Sequence, residues 1–81
     1  YPLLALAYEV GKEGGILPAV YNASNEAAVA LFLENKITFL DIEKIIFDAV
    51  NKAKIIKNPQ LEDLIAISQA IKKQILAQYL S

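Results

Sequence analysis

The stretch Gly14-Gly15-Ile16-Leu17-Pro18-Ala19-Val20-Tyr21-Asn22-Ala23-Ser24-Asn25-Glu26 decides how this chain is read. It runs from a glycine pair through a proline suited to a helix start into an alanine-rich apolar run. Two asparagines and a glutamate interrupt that run. Positions three and four apart are neighbours on a helix, so Asn22, Asn25 and Glu26 make one small polar triangle. Polar groups among apolar neighbours need hydrogen-bond partners, and the triangle raises the question of partners outside this chain.

Working outward, a helix is predicted from near Pro18 to about Glu34, about 25 Å long at 1.5 Å per residue. Val20, Ala23, Ala27 and Leu31 share one face. Asn22, Asn25, Val29, Phe32 and Leu33 fall on the opposite side. A helix apolar on both sides reads as buried. The small residues Ala19, Ala23, Ala27 and Ala30 let neighbours approach, so this is expected to be the central helix. Before it, Pro2 to Val10 reads as a first helix, with proline where its missing N–H costs nothing. Leu3, Leu6, Ala7 and Val10 form its apolar stripe. Gly11 is expected to end it, and Gly14-Gly15 to leave a flexible connection.

Beyond the central helix, Asn35-Lys36 closes the segment. Thr38 with Asp41 three residues on forms a capping box. The third helix is predicted to about Ala53, with Ile42, Ile45, Ile46, Ala49, Val50 and Ala53 in helical register. Asp48 and Lys52 form a favourable i,i+4 pair. Ile55-Ile56-Lys57-Asn58-Pro59 is a break, either a short extended segment or a buried turn. Leu61, Leu64, Ile65, Ser68, Ile71, Ile75 and Tyr79 then give a last amphipathic pattern. It is either one helix from about Gln60 or a helix that restarts at Ser68, a good N-cap type. No stretch alternates like a strand. The fold class is all-α: a four-helix antiparallel bundle forming a single small domain over residues 1–81.

Hydrophobic residues make up 56% of the 81 residues. That exceeds the ~45–50% of soluble domains even when 3 Gly replace 4 Tyr in the count, and suggests an apolar surface facing another domain or subunit. Eight lysines, no arginine and a net charge of −1 argue against a nucleic-acid partner, and with it a helix-turn-helix DNA binder. Lys52, Lys54 and Lys57 read as a solvated helix end and loop. Without Cys or His there is no disulfide framework and no zinc site. No apolar run approaches the ~20 residues of a membrane span, and no basic start leads an apolar run to a cleavage site. The missing initial Met suggests a fragment or processed chain.

The residues offer little catalytic chemistry. Glu26 is the one carboxylate expected to be semi-buried, and beside asparagines it reads as a hydrogen-bonded structural residue rather than an acid–base catalyst. Glu62-Asp63 near a helix start serve the dipole rather than a metal. Ser24 has no His or Lys to activate it. Gly14-Gly15 lacks the preceding strand and the GxGxxG spacing of a dinucleotide site. Tyr8 and Tyr21 read as core packing with an exposed hydroxyl. No catalytic, cofactor-binding or metal residue is assigned.

Tyr1–Gly11 (YPLLALAYEVG), Gly14–Glu26 (GGILPAVYNASNE), Ala30–Leu33 (ALFL) and Ile37–Ile42 (ITFLDI) together resemble the C-terminal domain of the 1-deoxy-D-xylulose 5-phosphate reductoisomerase family. The dense match covers about the first half of the chain. The second half matches more weakly. The family carries an Asp followed by Ala-Arg before its last helix. Here Ile67-Ser68-Gln69-Ala70-Ile71-Lys72-Lys73 puts Ser68 in place of the Asp cap and Lys72 in place of the Arg. The resemblance implies a three-domain parent that uses NADPH and a divalent metal (Mg or Mn). That parent makes 2-C-methyl-D-erythritol 4-phosphate on the non-mevalonate route to isoprenoids. It is a homodimer, cytoplasmic in bacteria or plastidic in plants and algae. The cofactor loop, metal ligands and substrate groups belong to the other domains, which are the implied partners of this one; neither nucleic acid nor membrane is. This bundle is then architectural, with Asn22, Asn25 and Glu26 as its interdomain joint. The alternative is a free-standing helical protein-interaction module.

Overall fold

The computed structural model describes residues 2–80, the side chain of Pro2 excepted. Four helices account for its regular structure: α1 (Pro2–Glu13), α2 (Leu17–Leu33), α3 (Phe39–Lys52) and α4 (Leu61–Leu80). Among the described residues there is no strand. The bundle expected from periodicity is present, with α2 at its centre packing on α3 and α4 and, over a smaller area, on α1. The core is Ala27, Ala28 and Leu31 of α2, Ile42, Ile45 and Ile46 of α3, and Ile75 of α4. The small side chains of Ala23, Ala27 and Ala28 are buried and let α3 and α4 approach closely. Ala30, in contrast, faces solvent.

Local chemistry sets the helix ends. Thr38 Oγ1 accepts from the Asp41 N–H at 3.3 Å, and Asp41 Oδ2 accepts from the Thr38 N–H at 2.9 Å, completing the capping box. The Thr38 backbone bond, then the Thr38 hydroxyl bond, then the nearby Lys44 charge favour the ionised carboxylate. Together they outweigh desolvation and hold the Asp41 carboxyl below its ordinary range. At the end of α2, Asn35 adopts φ 61°. The Lys36 N–H donates to the Leu31 carbonyl at 2.9 Å and the Asn35 N–H to the Phe32 carbonyl at 3.0 Å. This is a Schellman ending with asparagine in the left-handed position. Asp48 and Lys52 pair at 3.0 Å on the wet side of α3.

Two expectations are corrected and one open alternative is decided. α1 does not stop at Gly11 but runs to Glu13. The left-handed residue that ends it is Gly14, φ 68°, whose N–H donates to the Val10 carbonyl at 2.9 Å. A glycine inside a helix is only mildly unfavourable, so Gly11 alone does not break it. Of the two alternatives for α4, the continuous helix from about Gln60 is the one present, with Ser68 inside it. The cap is at Gln60, whose N–H donates to Asp63 Oδ2 at 2.9 Å. Finally, Gly14-Gly15 is not simply a flexible connection. The Ile16 N–H donates to the Ile56 carbonyl at 2.9 Å, tying the α1–α2 link to the segment between α3 and α4. Gly15, at φ 61°, lies where any Cβ would fall on that carbonyl oxygen.

The Cα trace spans 36 × 29 × 17 Å. Helices pack with axes about 8–10 Å apart, so the short dimension holds two helix layers. A two-layer bundle cannot cover its central helix on every side, and that fact places the candidate site.

Candidate functional site

α2 begins after Ile16, which contributes no side-chain cap; a proline, Pro18, stands in its first turn. From there Val20, Ala23, Ser24, Ala27, Ala28 and Leu31 turn inward and are buried. Asn22, Asn25, Glu26, Val29 and Leu33 recur at intervals of three and four residues and all lie exposed. They form one outward stripe. The expectation that α2 is buried on both sides is therefore corrected. Its second face is open because no third layer covers it, and Glu26 is exposed rather than semi-buried.

The triangle is a surface feature of this chain. Glu26 Oε1 forms an ion pair with Lys72 Nζ of α4, a contact that periodicity within either helix does not reveal. Among the described residues, neither Asn22 nor Asn25 makes a side-chain hydrogen bond within the chain. Their carboxamides, each a paired donor and acceptor, point away from the bundle. Leu33 continues the stripe at 72% exposure, and Phe39 and Leu40 follow it at the α2–α3 corner, also exposed. The Phe39 ring packs edge-on against Phe32, centroids 5.7 Å apart. Tyr8 is 72% exposed, so its reading as core packing is corrected, whereas Tyr21 packs against the core.

This arrangement can recognise polar backbone or side-chain groups across a surface. Ser24 is fully buried and its Oγ donates to the Tyr21 carbonyl at 3.0 Å, with no base beside it. Among the described residues, no three His, Cys, Asp or Glu gather to hold a metal ion. The glycine pair links two helices beneath the Ile56 carbonyl, and a carbonyl oxygen closing on it repels a phosphate instead of cradling it. The residues present do not fit a nucleotide cofactor or a divalent metal. No helix among the described residues is long and apolar enough to cross a membrane.

Residues 1–74 match the family model described as the DXP reductoisomerase C-terminal domain. The chain belongs to this family. It is 51% identical over 78 residues to a protein of Acaryochloris marina and 45% identical over 75 residues to one of an Exiguobacterium species. Both are named 1-deoxy-D-xylulose 5-phosphate reductoisomerase. A protein of the same name from Caldanaerobacter subterraneus subsp. tengcongensis is 44% identical over 80 residues. These alignments cover 94%, 93% and 99% of this chain, but only 20%, 20% and 21% of the respective relatives. The chain thus spans about one fifth of the length of the curated reductoisomerases it matches. No solved structure matches it significantly. The alignments reach well past the first half of the chain. Lys72 pairs with Glu26 between α4 and α2.

Proposed function

We propose that this chain is the helical C-terminal part of a 1-deoxy-D-xylulose 5-phosphate reductoisomerase and that its role there is architectural. Reduction by NADPH, the divalent metal and the rearrangement that yields 2-C-methyl-D-erythritol 4-phosphate then belong to segments outside these 81 residues. Their compartment is that of the parent enzyme, the bacterial cytoplasm, and their assembly a homodimer. The observation that carries this reading is the near-complete alignment of the chain with one fifth of each relative; among the described residues no His, Cys, Asp or Glu cluster could hold a metal ion. A free-standing interaction module is not favoured, because such a module has no reason to align end to end with part of an enzyme.

The outward stripe of α2 is the proposed joint, with Asn22, Asn25 and Glu26 meeting the catalytic part of the same polypeptide or the linker that returns to it. Two unpartnered carboxamides on an exposed face support it. Groups left unpaired at a buried joint cost about 1–3 kcal/mol each, whereas exposed substitutions stay within about ±0.5 kcal/mol. Asn25→Ala is therefore expected to leave the melting temperature of the 81-residue chain within about 4 °C and to lower stability and turnover of the full-length reductoisomerase. Equal melting temperature and turnover in the full-length variant would sink the proposal. The 81-residue chain alone is expected to give no substrate-dependent NADPH oxidation.

A further inference from the structure

We infer that the slot between α3 and α4 binds an anionic amphiphile, a linear apolar chain along its floor with a carboxylate or phosphate at its lysine-bearing rim. The slot exists because both helices pack along α2 while making little contact with each other. It encloses about 550 Å³, within the ~300–1,000 Å³ of small-molecule sites. Ile45, Ala49, Ile71 and Ile75 lie along it. Ile45 and Ile75 are core residues that close its floor, while Ala49 and Ile71 are half-buried along its walls. An alkyl chain laid along Ala49 and Ile71 would bury its methylenes, each worth about fourfold in affinity.

The rim supplies the head-group chemistry. Lys44, Lys52 and Lys54 stand on the α3 side against one carboxylate, Asp48, which pairs with Lys52 at 3.0 Å. Three cations against one anion leave a local positive surplus in a chain whose net charge is −1. Lys44 and Lys54 make no salt bridge among the described residues. The α4 side of the rim is neutral, with Gln74 and Gln78. An aliphatic floor under a cationic rim complements an apolar chain that ends in an anion. This inference concerns a different face from the α2 stripe and does not rest on the reading of that stripe.

Titration of dodecyl phosphate below its micelle-forming concentration into the 81-residue chain tests it, by calorimetry with amide chemical shifts read in parallel. Saturable one-to-one binding is expected, with shifts centred on Ala49 and Ile71. Affinity should fall on the order of tenfold when the alkyl chain loses two methylenes. Ala49→Phe, which fills the slot, is expected to abolish binding. The exposed double variant Lys44→Glu/Lys54→Glu should weaken binding at least tenfold with helicity intact, which keeps the test readable if the phenylalanine variant unfolds. Lys12→Glu on α1 should change nothing. Phosphatidylglycerol vesicles distinguish the sources of the ligand. Sedimentation with them, sensitive to the same lysines, assigns a membrane lipid, and binding of the dispersed amphiphile alone assigns a free one. The inference is overturned by absent or unsaturable binding, by binding indifferent to both slot variants, or by a dimer that Ala49→Phe dissociates, which would make a second copy the occupant.

Discussion

Replacing Gly15 by alanine probes the contact that locks the α1–α2 link onto the segment after α3. Gly15 has φ 61°, where an L-residue costs roughly 1–2 kcal/mol. Alanine returns about 0.4–1 kcal/mol by narrowing the unfolded ensemble. Its Cβ would also fall on the Ile56 carbonyl oxygen and within 3.0 Å of Lys57 Cα. Both obstacles are backbone and cannot swing aside, so the two segments must separate. The 2.9 Å bond from the Ile16 N–H to Ile56 is then lost, at about 0.5–1.5 kcal/mol. The net cost is about 2 kcal/mol, or roughly 8–16 °C in melting temperature for a domain of this size. Two other glycines calibrate the experiment. Gly14, at φ 68° with nothing within 4 Å of a Cβ, should show only the conformational penalty on changing to alanine. Gly11 sits inside α1 with open space around it, and Gly11→Ala should stabilise by about 0.5–1 kcal/mol. Thermal unfolding followed by far-UV circular dichroism should rank Gly11→Ala above the parent, then Gly14→Ala, then Gly15→Ala. If Gly15→Ala melts no lower than Gly14→Ala, the close approach of Ile56 contributes nothing and the reasoning is wrong.

Thr38→Ala removes the hydroxyl half of the capping box and should cost about 1 kcal/mol, read from the urea midpoint. Asp41 has a carboxyl held below its ordinary value of 3.8, so the unfolded chain takes up its proton first as pH falls. Its contribution to stability is full above that value and disappears as pH drops through the lower folded value. Melting temperatures between pH 6 and pH 2 should show this loss, and it should shrink in Thr38→Ala; an equal loss in both would refute the assignment. A double-mutant cycle on Glu26 and Lys72 should return no more than about 1 kcal/mol, because both side chains are largely solvated. That coupling should fade in molar salt, and a coupling that salt leaves unchanged would show the pair to be more than a surface contact.

The features legible in the sequence are those set within a few residues of chain. The Thr38–Asp41 box, the asparagine ending at Asn35, the Asp48–Lys52 pair and the isoleucine register of α3 all appear as expected. Each depends on contacts at most about five residues apart. The Asn22–Asn25–Glu26 grouping was legible in the same way, as neighbours on one helix. Its surroundings were not. The apolar residues on both sides of α2 imply burial only if enough layers exist to cover them, and the 17 Å thickness of the bundle leaves Val29 and Leu33 facing out with the asparagines.

What the sequence determined by itself is the number and type of helices, most of their caps and the family resemblance, since these rest on local periodicity and on residue identities in order. Only the tertiary structure decided which face of α2 stays open, that Glu26 meets Lys72, that α4 passes Ser68 without a break, and that Gly15 must be glycine because Ile56, some forty residues on, presses its carbonyl against it. Those outcomes depend on where separate helices come to rest against one another. That is set by how their apolar faces share a limited buried volume, a quantity no single segment carries.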